Sequence, residues 1–199
     1  MKRLAIALLL AASACHAPRG VPVLRDGVTQ PFFARQKVVA THGGQQSSFD
    51  AVLQYDGTQL VLLALTPMGT KAFAVVQTAD EYAVTQFVDM RLPAPPAAML
   101  RDVHAAYFDP PTRPLADGWH RRRTAAGARV HEHWAKGRLT ERVWGSRHDP
   151  QASRLRFVDP LAPGEMPRRL AFDHPELGLL LEIHTLESAK LGTDDVARH

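Results

Sequence analysis

Residues 48–77, SFDAVLQYDGTQLVLLALTPMGTKAFAVVQ, decide the fold, because three strand patterns and two turn signals follow one another within them. Residues 48–55 alternate large apolar and polar side chains, as a strand with one buried face requires. An Asp-Gly turn leads to residues 59–66, which are apolar on both faces, and a Pro-Met-Gly turn leads to a third strand at residues 71–77. The stretch predicts an antiparallel meander.

The pattern continues on both sides of this stretch. Period-two alternation begins at Phe32, while residues 95–107 instead place apolar side chains on one helical face behind paired prolines. The short, even spacing of the strands predicts a mostly β protein with one helix, built on a single antiparallel sheet that is curled or closed into a barrel. The further predicted strands are residues 82–89, 118–124, 129–135, 138–144, 154–159, 168–172 and 179–186.

The N-terminus has the composition of an export signal. Lys2 and Arg3 precede the apolar run of residues 4–12, and two small residues then lead directly to Cys15. The run is too short to span a bilayer. The order resembles the lipobox of bacterial lipoproteins, in which the cysteine is lipidated; the alternative is an ordinary secretory signal that ends near a cysteine.

Cysteine usage and charge narrow the classes of function. Cys15 is the single cysteine, so intramolecular disulfides are excluded, and once Cys15 is lipidated no free thiol is left for catalysis or metal binding. Removing residues 1–14 leaves 22 basic against 20 acidic residues, a balance that gives no indication of nucleic-acid binding. The predicted organisation is a signal peptide (1–14), a lipidated tether (15–31), a folded domain (32–187) and a polar tail (188–199).

The usual catalytic motifs are missing from the sequence. It has no nucleophile elbow, zinc-protease helix motif, phosphate loop or dinucleotide fingerprint, so we expect neither enzymatic activity nor a cofactor. Ser146, His148 and Asp149 lie within one turn, whereas a triad is assembled from separate parts of a fold. We therefore interpret these three residues as part of a solvated loop.

Three histidines and an arginine run have competing interpretations. His131 and His133 share one face of a strand, and His120 could lie opposite them, as zinc or copper ligands or as exposed strand residues. No metal is predicted, because the spacing is not diagnostic. On a strand, Arg121 and Arg123 should point to one face and Arg122 to the other. The run could bind phosphate groups, or it could protect an edge strand from pairing with other chains.

The order of these motifs is similar to that of the outer-membrane lipoprotein receptor of the bacterial lipoprotein-sorting system. The likeness rests on residues 49–55, then 60–66 with their Pro-Met-Gly turn, then 71–76. The chain also resembles an uncharacterised family of bacterial lipoproteins whose genes often lie beside aryl-polyene biosynthesis genes, through residues 92–102 and 179–186. The resemblance implies a LolB-like open half-barrel whose apolar cavity, covered by helices, receives acyl chains.

The function expected from these observations is a lipid-anchored protein of the outer membrane, facing the periplasm, that binds or carries an acyl-type or polyene lipid. His16, rather than aspartate, follows the predicted lipidated cysteine, which favours the outer membrane. One alternative is a core filled by side chains; another is a scaffold that binds an envelope protein. The residues expected to line the cavity are Leu60, Leu62, Leu65, Phe73, Val75, Met99, Leu100 and Val103.

Overall fold

The computed structural model describes residues 21–24, 30–79, 81–90, 92, 94–124 and 127–191. The first half contains β1 (Phe32–His42), β2 (Gln45–Tyr55), β3 (Gln59–Leu65), β4 (Lys71–Thr78), β5 (Glu81–Gln86) and the helix α1 (Pro96–Tyr107). The second half contains β6 (Gly118–Arg123), β7 (Arg129–Ala135), β8 (Arg138–Trp144), β9 (Ser153–Leu161), β10 (Arg169–His174) and β11 (Leu179–Lys190). A short 3-10 helix, Pro175–Leu177, precedes β11.

All the described strands form one antiparallel sheet of eleven strands, in the order β5-β4-β3-β2-β1-β11-β10-β9-β8-β7-β6. The first strand of the chain, β1, pairs with the last, β11, at the centre of the sheet. Strands β1 to β5 therefore form one side of the sheet, and β6 to β11 form the other. The sheet stays open, with β5 and β6 as its edges. The predicted fold class, a mostly β open half-barrel covered by a helix, is confirmed.

Alternation along the strands creates an inner face, which α1 covers, and an outer face. In β3, Leu60, Leu62 and Ala64 are buried, whereas the residues between them are only half-buried. Eight of the side chains of α1 between Ala98 and Tyr107 are buried, most of them against this face. The core therefore lies between one helix and one face of the sheet.

Some predicted boundaries differ from the structure. The strand predicted to end at residue 89 ends at Gln86, and β11 continues to Lys190, past the predicted start of the polar tail, because Lys190 pairs with Phe32. Part of the predicted tether also packs on the body: Leu24 is buried, and its N–H donates to the Ala79 carbonyl. The predicted signal peptide, Cys15 and His16 lie outside the described residues.

Candidate ligand cavity and the helix that covers it

A cavity of about 60 Å³ lies between α1 and the inner face of the sheet. Three polar side chains reach it, those of Gln36, Asp102 and Tyr107. The rest of its lining is apolar and comes from β1, β2, β3, β4, β10, β11, α1 and the segment before the helix. These apolar residues are Val38, Phe49, Ala51, Leu53, Leu62, Phe73, Ala94, Met99, Val103, Phe172, Leu181 and Ile183.

The structure brings four of the eight predicted lining residues to this cavity: Leu62, Phe73, Met99 and Val103. Three others are fully or almost fully buried but do not line it; these are Leu60, Val75 and Leu100.

The placement of Leu65 on the inner face is wrong. Leu65 lies opposite Asp50, whose carboxylate pairs with Lys37 on the outer face, and a register shift separates Ala64 from Leu65. Leu65 follows Leu60 by five residues and Leu62 by three. Because side chains alternate between the two faces of a strand, Leu65 points to the face opposite to theirs.

The C-terminal end of α1 is fixed by a buried arginine on β8. Arg142 is 0% exposed, and its guanidinium donates to the carbonyl oxygens of Ala105 at 2.5 Å and Asp109 at 2.6 Å. These carbonyls belong to the last turn of the helix and the residue just beyond it, where α-helices leave acceptors without partners. The arginine therefore caps the helix.

Carboxylates compensate the buried charge. Glu132 of β7 accepts from Arg142 Nε at 2.8 Å and also lies 2.8 Å from Arg122, which in turn pairs with Asp109 at 2.7 Å. Burial alone would raise the pKa of Glu132, but its two arginine partners outweigh burial, and the pKa is lowered. Arg122 thus points inward, away from the face of Arg121 and Arg123, as strand alternation predicts.

Aromatic rings add to the packing at the same end. Phe108 meets Tyr55 edge-on, with ring centres 4.8 Å apart, and Phe32 stacks on Tyr107 at 5.4 Å. The Tyr107 hydroxyl is also hydrogen-bonded to the side-chain amide of Gln36. Burial raises the pKa of Tyr107 to about 12, so the hydroxyl remains protonated. The last turn of α1 is held by apolar and polar contacts together.

The middle of α1 makes a polar contact with β4. Burial lowers the pKa of His104 to about 4, so its ring is neutral at neutral pH, and it lies 2.9 Å from Gln77 Oε1. The Gln77 amide nitrogen donates to the carbonyls of Pro22 at 2.6 Å and Ala79 at 3.0 Å, which leaves its oxygen to accept from the histidine. One glutamine therefore joins the helix, the sheet and the N-terminal segment.

Asp102 connects the same helix to β10. Its Oδ2 lies 3.0 Å from His174 Nε2, and the opposite ring nitrogen of His174 lies 3.5 Å from Glu176. Burial raises the pKa of Asp102. Burial would lower the pKa of His174, but the hydrogen bond and charge of Asp102 outweigh it, and the pKa is raised. This is a polar pair at the wall of an apolar cavity.

The N-terminal end of α1 lacks comparable contacts. Pro95 occupies the cap position, so no side chain accepts a hydrogen bond from the first turn, and that turn contains no acidic residue. This is also the end that carries Met99 over the cavity, next to Ala94. Among the described residues, the helix is therefore secured at its middle and C-terminus.

Sequence reasoning missed the polar residues that hold the helix. Gln36, Gln77, Asp102, His104 and Arg142 were not singled out, because each reads as an exposed residue in a strand or helix pattern. The sequence did contain one signal. Glu132 lies between His131 and His133, so if the two histidines face outward, the carboxylate faces inward and requires a cation there. The cations are Arg142 and Arg122.

The family can now be stated from the sequence. Residues 34–187, which run from β1 through most of β11, match the family model described as "Protein of unknown function (DUF3261)". The chain belongs to this family. No curated protein matches it.

Solved structures with a similar arrangement include three bacterial proteins. A LolA superfamily protein from Nitrosomonas europaea shares 8% identity, with 85% of this chain and 89% of that chain covered and a TM-score of 0.46. A putative outer membrane lipoprotein-sorting protein domain from Vibrio parahaemolyticus shares 11%, with 85% and 90% covered and a TM-score of 0.44. A DUF1329 family protein from Desulfovibrio piger shares 13%, with 81% and 86% covered and a TM-score of 0.42. Likenesses of this size carry no inference about ligand or partner.

The histidines of this DUF3261 member do not form the arrangement considered from the sequence. The prediction that His120 could face His131 and His133 is wrong, because His120 pairs with Glu132 and Trp119 pairs with His133. His120 therefore lies on the inner-face side of β6. In the described part of the chain, no group of three or more His, Cys, Asp or Glu side chains is placed to hold a metal ion.

The loop after β8 contains the other sequence candidate. Ser146, His148 and Asp149 are all exposed, Asp149 Oδ1 accepts from the Gln151 N–H, and the His148 ring is bonded to Arg147. They are solvated loop residues with local partners. Among the described residues, no helix is both long and apolar enough to cross a bilayer.

The DUF3261 chain also has a larger depression, of about 410 Å³, on the outer face of β8 to β11. It lies beside a register shift between β8 and β9. Charged side chains, Glu141, Arg156 and Glu182, line it together with Val158 and Leu180. Because this depression is open and charged, the smaller cavity under α1 is the better candidate for an apolar ligand.

Proposed function

We propose that this protein is a lipid-anchored periplasmic carrier that binds one acyl- or polyene-type chain between α1 and the inner face of the sheet. The observation that carries this proposal is an apolar cavity beneath a helix whose first turn has no side-chain cap. Ligand sites for apolar molecules are typically enclosed, mostly apolar spaces with a few polar groups, and this cavity has that composition. A role in lipid or pigment export to the outer membrane would use such a carrier.

The size of the cavity implies that the helix moves when a ligand binds. At about 60 Å³ the space is smaller than the roughly 150 Å³ cavity that accepts benzene in an engineered protein core. A longer acyl chain therefore needs α1 to lift from the sheet. In this proposal, the small cavity corresponds to the closed position of α1.

The contacts along α1 suggest which end lifts. Arg142 and the aromatic rings hold the C-terminal turn, whereas the first turn has no side-chain cap and covers the cavity. A hinge near residues 105–109 would expose Leu62 and Phe73 without breaking the Arg142 contacts. It would break two other contacts, those of Asp102 with His174 and of His104 with Gln77. Removing each methylene of the ligand from water would then contribute about 0.8 kcal/mol, so affinity should rise with chain length until the space is full.

A direct test compares two neighbouring leucines of β3 in residues 16–199, which include every residue that the structure describes. Leu62→Trp places a large ring in the cavity, whereas Leu63→Trp places the same ring on the outer face. We expect the first variant to bind a fluorescent fatty acid at least about tenfold more weakly, and the second to bind like the wild type. Circular dichroism checks that both variants are folded.

Two results would contradict the carrier. One is a well-folded wild type that shows no saturable binding of fatty acids of any chain length, and the other is equal binding by the two tryptophan variants. Native mass spectrometry of protein purified from a bacterial envelope supplies an independent observation. A co-purifying lipid supports the proposal and gives the mass of the ligand.

The proposed anchor is tested separately. Cys15→Ala should abolish labelling by a radioactive fatty acid and release the protein from the membrane fraction, because Cys15 is the single cysteine. Separation of the membranes on a density gradient should place the wild type in the outer membrane. Labelling of the alanine variant, or a band in the inner membrane alone, would contradict this part of the proposal.

A second candidate function, an envelope scaffold, is favoured by apolar side chains at one end of the sheet. Met68, in the turn between β3 and β4, is 91% exposed, and Phe87, just after β5, is 50% exposed. Photo-crosslinking from position 68 in cells would distinguish the candidates. A specific protein adduct supports the scaffold, whereas the fatty-acid titration alone decides the carrier.

A further inference from the structure

The outer face of the β6–β7 hairpin carries a group of arginines, defined as the arginine patch: Arg121, Arg123 and Arg129. All three are exposed. In the pairing of the two strands, Arg123 lies directly opposite Arg129, and Arg121 lies opposite His131. Like charges in directly opposed positions destabilise a sheet, so the fold itself gains nothing from this arrangement.

Four other cationic side chains on the outer face have carboxylate partners, unlike those of the patch. Arg35 and Lys37 pair with Asp50, Arg154 pairs with Glu141, and Arg169 pairs with Asp159. No carboxylate lies within ion-pair distance of Arg121, Arg123 or Arg129 in the part of the chain that the structure describes. Because the chain left after removal of residues 1–14 has nearly equal numbers of acids and bases, the unpaired charge reflects a local concentration.

Edge protection does not account for the patch. Charged side chains often protect an edge strand from pairing with other chains. The opposite edge, β5, has one charged residue, Glu81, among exposed neighbours, so the fold tolerates an edge without such protection. Arg129 moreover lies on β7, which is paired on both sides and is not an edge.

Aromatic groups flank the arginines on the same face. Trp119 lies opposite His133, with ring centres 5.0 Å apart, and the guanidinium of Arg147 lies 5.8 Å from the Trp119 ring. Arginine guanidinium groups bind phosphate through paired hydrogen bonds, and tryptophan is enriched where proteins meet the membrane interface. The chemistry of this face matches a surface of closely spaced phosphates beside apolar material.

We infer that the arginine patch is a docking surface for a bilayer that contains anionic phospholipids. Each basic residue near such a surface adds to binding, and the attraction falls off over about 10 Å at 0.1 M salt. The inference goes beyond the proposed carrier function and does not depend on it. It requires neither a ligand in the cavity nor a lipid on Cys15.

The test uses residues 16–199 and sedimentation with vesicles of phosphatidylcholine, with or without 30 mol% phosphatidylglycerol (about one lipid in three, anionic enough to attract basic segments). We expect the wild type to bind the anionic vesicles and not the neutral ones. Arg121→Gln, Arg123→Gln and Arg129→Gln together should weaken that binding on the order of 100-fold. The matched control, Arg35→Gln, Arg138→Gln and Arg169→Gln, removes the same charge from paired positions and should keep most of the binding.

Three outcomes would overturn the inference. Equal loss in the two triple variants would show that net charge alone is responsible, and equal binding to neutral and anionic vesicles would show that phosphate charge is not recognised. A folded wild type that binds no vesicles would leave an acidic protein as the partner of the patch. None of these outcomes bears on fatty-acid binding, which is measured without vesicles.

Discussion

The two ends of α1 are held in different ways. At the C-terminal end, Arg142 donates to the carbonyl of Ala105 in the last turn and to that of Asp109 beyond the cap, and the rings of Phe32, Tyr55 and Phe108 pack together. At the N-terminal end, a proline occupies the cap position without a side-chain hydrogen bond, and Met99 of the first turn lines the apolar cavity. In the proposed carrier, the C-terminal end of α1 would stay in place while the N-terminal end moves.

The largest expected effect comes from breaking the fixed end. Arg142→Met should lower the free energy of unfolding by about 3–5 kcal/mol, because two carbonyls and Glu132 lose a buried, charged partner. Arg138→Met on the same strand is the control; it removes an exposed pair with Glu165 and should cost about 1 kcal/mol or less. Urea denaturation measures both. Equal costs would mean that Arg142 does not hold the helix end.

A second prediction asks whether the middle of the helix is held as firmly. Burial lowers the pKa of His104 to about 4 in the folded protein, against about 6.5 for an exposed histidine, so the unfolded chain binds more protons between these values. Stability that is present above pH 6.5 should therefore fall as the pH drops to 4, by about 3 kcal/mol from this residue. His174, whose pKa is raised, acts in the opposite direction.

The measurement is the free energy of unfolding at pH 7 and pH 4. His104→Gln should lose less stability than the wild type over this interval, since glutamine has no proton to gain. His184→Gln, on an exposed side chain of β11, should follow the wild type. If the three proteins lose the same amount, His104 is not buried as the structure places it.

A smaller effect is expected from the contact between the last turn and β1. Tyr107→Phe removes the hydrogen bond to Gln36 and should cost about 1 kcal/mol. Tyr82→Phe, on the exposed edge strand, serves as the control and should cost much less. Thermal unfolding of the two variants compares them. A larger loss at Tyr82 would contradict the assignment of the fixed end.

The smallest effect concerns the uncapped end. Pro95→Ser supplies a side-chain acceptor at the cap position and should stabilise the protein by about 0.5–1 kcal/mol. If the first turn lifts for the ligand, the same change should slow fatty-acid association in stopped-flow measurements. Pro150→Ser, in an exposed loop, should change neither quantity. Faster association by the capped variant would indicate that the ligand enters elsewhere.

The strands were predictable from sequence because alternation is local. The three predicted strands in residues 48–77 appear as β2, β3 and β4, and the helix begins within one residue of its predicted start. Leu65 was assigned to the inner face because residues 60–65 are all apolar, although strict alternation from Leu60 and Leu62 places it on the outer face. The register shift after Ala64 is a property of the pairing with β4.

The contacts that hold α1 could not be predicted, because each joins residues far apart in the chain. Arg142 meets Ala105, His174 meets Asp102, and Gln36 meets Tyr107 across 71 positions. A polar residue on a strand reads as outward-facing until its partner is known. The error at His120 has the same origin, since the register of β6 on β7 fixes its face.

The attachment of residues 21–24 to the folded body limits the distance between Cys15 and that body. With Pro22 and Leu24 bonded to the body, five residues lie between Cys15 and residue 21, and the six residue-to-residue steps span about 20 Å when fully extended. A lipid on Cys15 would thus keep the domain beside its own membrane rather than let it range across the periplasm. At such a distance the effective concentration of the membrane surface is high, so even weak contacts of the body with lipid would be occupied most of the time.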